Sequence, residues 1–209
     1  MRDRIVRHAG PDRLIHWVIA SCVLVLLATA FLPILGIEFA WVAIHWWTGV
    51  VLIAAVVVHI LRSLIAKRLA SVWIGGRDLR DAWRIAKRNF RLASGPSPKP
   101  GKYSFAQKLI HLAFAVVILA VCATGAMLMV KVDTPFWERN PYWLSDETWG
   151  IVNVIHGLSA LFLITMVMTH VYFALRPEKL MYLRAMSLGW ITGKEYERMH
   201  DPDRWQVKE

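Results

Sequence analysis

The chain has 209 residues, 56% of them hydrophobic, and a formal charge of +10 from 25 Lys and Arg against 15 Asp and Glu. Soluble domains run at about 45–50% apolar, so this excess excludes an ordinary water-soluble fold and points to a membrane. The positive charge does not indicate nucleic acid, because it is segregated by apolar runs too long for a soluble domain; topology and anionic lipid account for it better.

The N-terminal stretch "MRDRIVRHAGPDR" is basic and precedes an apolar run. The following "FLPILG" is not a small-residue cleavage site, so this run is expected to remain as a helix rather than to be removed as a signal peptide. Four apolar segments are predicted to span, at Leu14–Leu35, Trp41–Ile65, Ser104–Val130 and Trp149–Leu175. Each is long enough for a hydrocarbon core of about 30 Å. Trp17, Trp41, Trp46, Trp47 and Trp149 lie near span ends, where an interfacial belt is expected. Cys22 and Cys122 both fall inside apolar runs and read as buried thiols, not a disulfide framework. The expected fold is an all-α integral membrane protein, a four-helix bundle forming one membrane domain over residues 1–209.

Orientation follows from the cations. The N-terminus carries four (Arg2, Arg4, Arg7, Arg13), the stretch Arg62–Lys108 twelve, and the tail from Arg176 seven. Ile34–Ala40 carries none and Lys131–Thr148 two. The positive-inside rule therefore predicts both termini, loop 66–103 and tail 176–209 in the cytoplasm. Within that loop "RDLRDAWRIAKRNFRL" (Arg77–Leu92) can gather Leu79, Trp83, Ile85, Ala86 and Phe90 on one side of a helix. It reads either as a helix lying at the headgroups or as a packing helix. "SGPSPKPGK" follows as a linker, and there is no internal repeat.

Of eight histidines, His8 and His200 fall in the flanks and read as surface groups, while His16, His45, His59, His111, His156 and His170 fall in or at the ends of spans. Ionisable groups in a membrane are rare and usually functional. The topology sorts them into an outer layer, His45 and His156, and an inner layer, His16, His59, His111 and His170. The spacings 45→59 and 156→170 are both fourteen residues, which returns to within roughly 40° of one helix face after a rise of about 21 Å. Such a rail suits two cofactors stacked in a bundle and gripped by facing helices.

Zinc would call for clustered Cys and His, which are not present. Copper is compatible by ligand type. Haem b fits best, with two axial imidazoles from opposite helices around a flat apolar macrocycle. There is no C-x-x-C-H for covalent c-type attachment. Gly49 after His45, Gly157 after His156, and Gly125 in "ATGAM" are small residues where a macrocycle could approach backbone, although each also suits simple helix packing. The outer haem has one histidine pair available, His45 with His156. The inner has His170 with His16, His59 or His111, and spacing does not choose among them.

The motifs "RLIHW", "IHWWTG", "GKYSFAQK", "CATG", "IHGLSA", "THVYFAL" and "HDPDRW" occur in this order over nearly the whole chain. Their order and spacing resemble the di-haem cytochrome b (gamma) subunits of membrane-bound formate dehydrogenases, within the bacterial cytochrome b561-like group. The resemblance implies two haems b, His16 pairing with His170 and His45 with His156. His59 and His111 then take other roles, His59 at a haem edge and His111 near a quinone or propionate. It also implies a quinone beside the inner haem, at the stretch matching "KYSFAQK". Ser104 and Gln107 would bond a quinone carbonyl there and Lys108 would face negative charge on the quinone or a propionate. Ser104 and Gln107 also make a capping box. Arg13, beside the inner layer, suits a propionate.

These implications describe a multi-pass subunit of the bacterial inner membrane. It would carry electrons between a partner iron–sulfur subunit, with its catalytic dehydrogenase subunit, and ubiquinone or menaquinone. Rival readings are a stand-alone quinone-linked cytochrome b that oxidises superoxide, a hydrogenase-type cytochrome b, which usually has a fifth helix, and a haem-free proton path or transporter.

Overall fold

The computed structural model describes residues 4–66, 69–92 and 94–207. Arg2, Lys67, Arg68 and Lys208, counted among the topological cations, lie outside them. In chain order the elements are strand β1 (Arg4–Val6), α1 (Gly10–Phe31), α2 (Trp41–Ile65), the single turn α3 (Leu69–Val72), α4 (Gly76–Asn89) and α5 (Phe105–Leu128). Then come α6 (Asp146–Leu175), α7 (Leu180–Leu188), β2 (Trp190–Thr192) and α8 (Gly193–Met199). Among the described residues four helices are long and apolar enough to cross a membrane: Gly10–Phe31, Trp41–Ile65, Phe105–Lys131 and Asp146–Leu175.

The helix ends follow local chemistry. α1 starts four residues before the apolar run, because Pro11 is tolerated in a first turn and Asp12 complements the N-terminal dipole. It ends at Phe31, before Pro33 and a turn in which Gly36 takes φ +83°. α6 likewise begins before its apolar run, with Asp146 and Glu147 in the first turn and the Ser145 Oγ accepting from the Thr148 N–H at 3.3 Å. At the start of α5 the expected capping box is present. The Ser104 N–H donates to Gln107 Oε1 at 2.9 Å, and the Gln107 N–H to Ser104 Oγ at 3.3 Å.

The chain divides into two compact units. One comprises Leu14–Leu61 and Phe114–Phe173, the bodies of the four spans. Its core joins Cys22, Val23 and Leu27 of α1, Leu52 and Val56 of α2 and Leu163 of α6, with Phe114, Val117, Ile118 and Cys122 of α5 packed against them. Both cysteines are free thiols. Many large apolar side chains point outward instead, among them Val50, Val58, Val116, Leu119 and Phe162. Such a surface suits lipid, which solvates these groups as well as a core does. Of the tryptophans expected at interfaces, Trp17, Trp41 and Trp47 are exposed, but Trp46 and Trp149 are buried. The Trp149 indole N–H donates to the Pro141 carbonyl at 2.8 Å, so this ring anchors a loop.

The other unit collects the N-terminus, Arg62–Ala113 and Ala174–Glu209, the three stretches that carry most of the cations. Here the helical class gains one addition, an antiparallel pair of β1 and β2 with Arg4 opposite Thr192 and Val6 opposite Trp190. The pairing places the N-terminal segment beside the stretch between α7 and α8. Ile5, Met181, Ala185 and Ile191 form a small apolar core beneath it. Gly189 closes α7 at φ +97°, a conformation that favours glycine, and a Cβ there would sit 3.0 Å from the His8 carbonyl oxygen.

His200 is a correction to the sequence reading. Expected at the surface, it is fully buried in this unit. Arg7, also buried, donates from Nη1 to His200 Nε2 at 3.0 Å, and His200 Nδ1 donates to the Gly101 carbonyl at 2.7 Å. The Arg7 guanidinium also lies over Tyr103, Tyr182 and Trp205. Burial first, and then the Arg7 charge, push the His200 imidazole down to about 4 against the pull of the Gly101 carbonyl.

Candidate functional site

The spans bring His45 and His156 face to face. Their ring centres lie 6.4 Å apart with planes at 68°. Each ring is held from behind by a threonine on the preceding span: Thr29 Oγ1 of α1 is 2.8 Å from His45 Nδ1, and Thr124 Oγ1 of α5 is 2.9 Å from His156 Nδ1. Both hydroxyls already donate backward along their helices, Thr29 to the Val25 carbonyl at 2.9 Å and Thr124 to the Ala120 carbonyl at 2.6 Å. A hydroxyl has one proton, so toward the imidazole each oxygen acts as acceptor and the proton sits on Nδ1. Nε2 is thereby left with its lone pair in both rings. The network assigns this tautomer, which is the one a metal-ligating histidine needs.

Gly125 lies beside this pair. A Cβ there would come 3.3 Å from His156 Cε1, so only glycine leaves the imidazole its full width. A Cβ at Gly49 or Gly157 would meet no atom within 4 Å. Neither glycine is needed for packing within the chain, which leaves the role at a macrocycle edge open to them.

The inner layer is assembled differently. His16 is within electrostatic range of both His170 and His59. His170 meets the edge of Phe114 at 5.7 Å, and His16 that of Trp17 at 5.4 Å. His111 is exposed and belongs to the other unit.

The remaining candidates lie in that unit. Arg13 donates from Nη1 to the Ser187 carbonyl at 2.6 Å, while its Nε is buried with no hydrogen-bond partner. A buried guanidinium N–H left unmet is costly. Lys108 donates to Asp78 Oδ2 at 2.9 Å and to the Trp73 carbonyl at 3.0 Å. Burial alone would raise the Asp78 carboxyl. The Lys108 hydrogen bond, the Gly75 N–H and the Lys108 and Arg204 charges together hold it below the usual range. Capping occupies Ser104 Oγ as an acceptor and Gln107 Oε1 as an acceptor; the Ser104 O–H and the Gln107 NH2 stay available as donors.

A family model described as prokaryotic cytochrome b561 matches residues 7–189. The chain belongs to that family. It is therefore a multi-pass membrane cytochrome b that takes part in electron transfer, with haem b as its prosthetic group. Curated relatives agree. The chain is 26% identical to the formate dehydrogenase cytochrome b556(fdo) subunit of Escherichia coli, over 98% of this chain and 92% of that protein. It is 24% identical to the formate dehydrogenase cytochrome b556 subunit of Haemophilus influenzae, over 99% of this chain and 84% of that protein.

The cytochrome's own residues fit a haem at the outer pair. A metal-to-imidazole bond of about 2 Å, with about 1.1 Å more to each ring centre, puts two axial rings roughly 6 Å apart centre to centre. The observed separation is 6.4 Å. Thr29 and Thr124 escaped the sequence reading. Their signal was slight: a single hydroxyl between small residues, "ATA" and "ATG", near the end of an otherwise apolar helix.

Proposed function

We propose that the chain is the di-haem b subunit of a respiratory dehydrogenase in the bacterial inner membrane. It would carry electrons between a partner iron–sulfur subunit, joined to a catalytic dehydrogenase subunit, and a membrane quinone. The observation that carries this reading is the His45–His156 pair at 6.4 Å, each ring clamped at Nδ1 by a threonine. The formate dehydrogenase subunits among its relatives, matched over 92% and 84% of their lengths, support the assembly.

In this reading His45 and His156 ligate the outer haem, and Gly125 leaves room for the ligand ring. His170 and His16 ligate the inner haem, with His59 at its edge. α2 and α6 run unbroken through both layers, and fourteen residues of helix separate the layers by about 21 Å. The unmet Arg13 Nε–H, three residues before His16 in the sequence, is a donor suited to a carboxylate. Ser104 and Gln107 keep a donor each for a quinone carbonyl while capping α5. Lys108, pinned by Asp78, supplies fixed positive charge nearby, and His111 sits at the same end of that helix. Haem b, when bound, supplies reversible one-electron transfer at its iron. The chain's part is to orient the axial rings, keep water from them and set the potential through the Nδ1 hydrogen bonds. The cations gathered with both termini support a cytoplasmic location for that unit.

The test is a redox titration of purified His156→Ala and His170→Ala. Each variant should lose one of two haem b transitions, a different one in each case. Loss of both from either variant, or of neither, would overturn the two-site assignment.

A further inference from the structure

α4 has three faces. Its carboxylates Asp78 and Asp81 sit on one side and are consumed by ion pairs, Asp78 with Lys108 and Asp81 with Arg204. These contacts fix which way the helix is rolled. The second face is apolar: at 100° per residue Leu79, Trp83 and Phe90 fall within an arc of about 40°. That stripe is uncovered, with Leu79 56%, Trp83 63% and Phe90 77% exposed. The third face borders the stripe and is basic, with Arg77, Arg80, Arg84 and Lys87 all exposed. Lys87 Nζ lies 5.2 Å from the Trp83 ring centre, so charge and aromatic stripe meet at one edge. The helix carries five cations against two carboxylates, and both carboxylates are already paired.

We propose that α4 lies in the membrane–water interface and binds anionic phospholipid headgroups. The choice of occupant rests on charge and on continuity. A protein partner fitted to aromatic rings alone would not call for a row of unpaired cations beside them. An anionic lipid surface satisfies both, taking Leu79, Trp83 and Phe90 at the level of the acyl boundary and the arginines at the phosphates. The chain itself enters the membrane on either side of this helix, through α2 and α5, so the surface is at hand without any other molecule. The two ion pairs hold the helix so that burying the stripe costs little reordering.

The experiment is hydrogen exchange on the full haem-loaded protein in nanodiscs, either all phosphatidylcholine or containing phosphatidylglycerol. Amides of residues 76–92 should exchange several-fold more slowly with phosphatidylglycerol, and 0.5 M salt should remove much of the difference, as expected when the Debye length falls to about 4 Å. Arg80→Gln/Arg84→Gln/Lys87→Gln should lose the lipid dependence with its haem spectrum unchanged. Trp83 gives a second reading: brominated phosphatidylglycerol should quench a component of the fluorescence that Trp83→Phe lacks. Equal exchange in both lipids with no quenchable Trp83 component would overturn the proposal. So would protection that appears only when other subunits of the complex are added.

Discussion

His156 and His200 are both packed among helices, and they are held in opposite ways. His200 has both ring nitrogens engaged, Nδ1 donating to the Gly101 carbonyl and Nε2 accepting from Arg7. It is a structural residue, joining the N-terminal segment to the linker and the tail. His156 is gripped only at Nδ1, by Thr124, and its second nitrogen keeps a lone pair beside a second imidazole held in the same manner. His200 is fully buried and His156 half-buried, but the difference that bears on ligation is the fate of Nε2.

Replacing each histidine should break the molecule in a different place. His156→Ala should remove one haem, read by haemochrome content, while α7, α8 and the β1–β2 pair keep their proteolytic resistance. His200→Ala should keep both haems and lose that resistance, since it strips the buried Arg7 Nη1 of its acceptor, the loss of one charged hydrogen bond, about 2 kcal/mol, while Nη2 keeps the Lys102 carbonyl. Haem loss in His200→Ala with an intact tail would erase the distinction.

Acid should sharpen the contrast. The His200 imidazole is held down to about 4 in the folded protein, below its ordinary 6.5. The unfolded chain therefore binds the proton more readily between these values. Stability from this group is full above about 6.5 and is lost as pH falls to about 4, by roughly 3 kcal/mol. Tail proteolysis should accelerate across that window, and a flat profile between pH 7 and 4 would contradict the account.

The threonine clamps are a smaller effect at the ligand site. Thr29→Val or Thr124→Val removes one acceptor from an axial ring, worth about 1 kcal/mol, or roughly 40 mV for one electron. One haem transition should move to higher potential, because a less electron-rich imidazole favours ferric iron less, and the other should stay. Both moving together, or neither, would count against the clamp. Smallest of all, Gly125→Ala places a methyl 3.3 Å from His156 Cε1 and should retain the haem with a slightly altered spectrum at the outer site.

The four spans were legible because about twenty apolar residues have few soluble alternatives, and the meeting of His45 with His156 because both fall in the half of a span next to a cation-poor connection. What sequence hid was side-chain chemistry across helices. Thr29 and Thr124 look like ordinary small residues until α1 meets α2 and α5 meets α6. His200 looked exposed because its partners, Arg7 and Gly101, lie 193 and 99 positions away. The Ser104–Gln107 box was readable because its geometry is local. Trp149 lies at the end of a span as expected, but its burial and its bond to a loop carbonyl were not legible in the sequence.

The central claim is that one chain holds two haems b on the rails of α2 and α6. A pyridine haemochrome assay against protein concentration on the purified chain tests it most directly. The account predicts two haems b per chain; a single haem, or none, would contradict it.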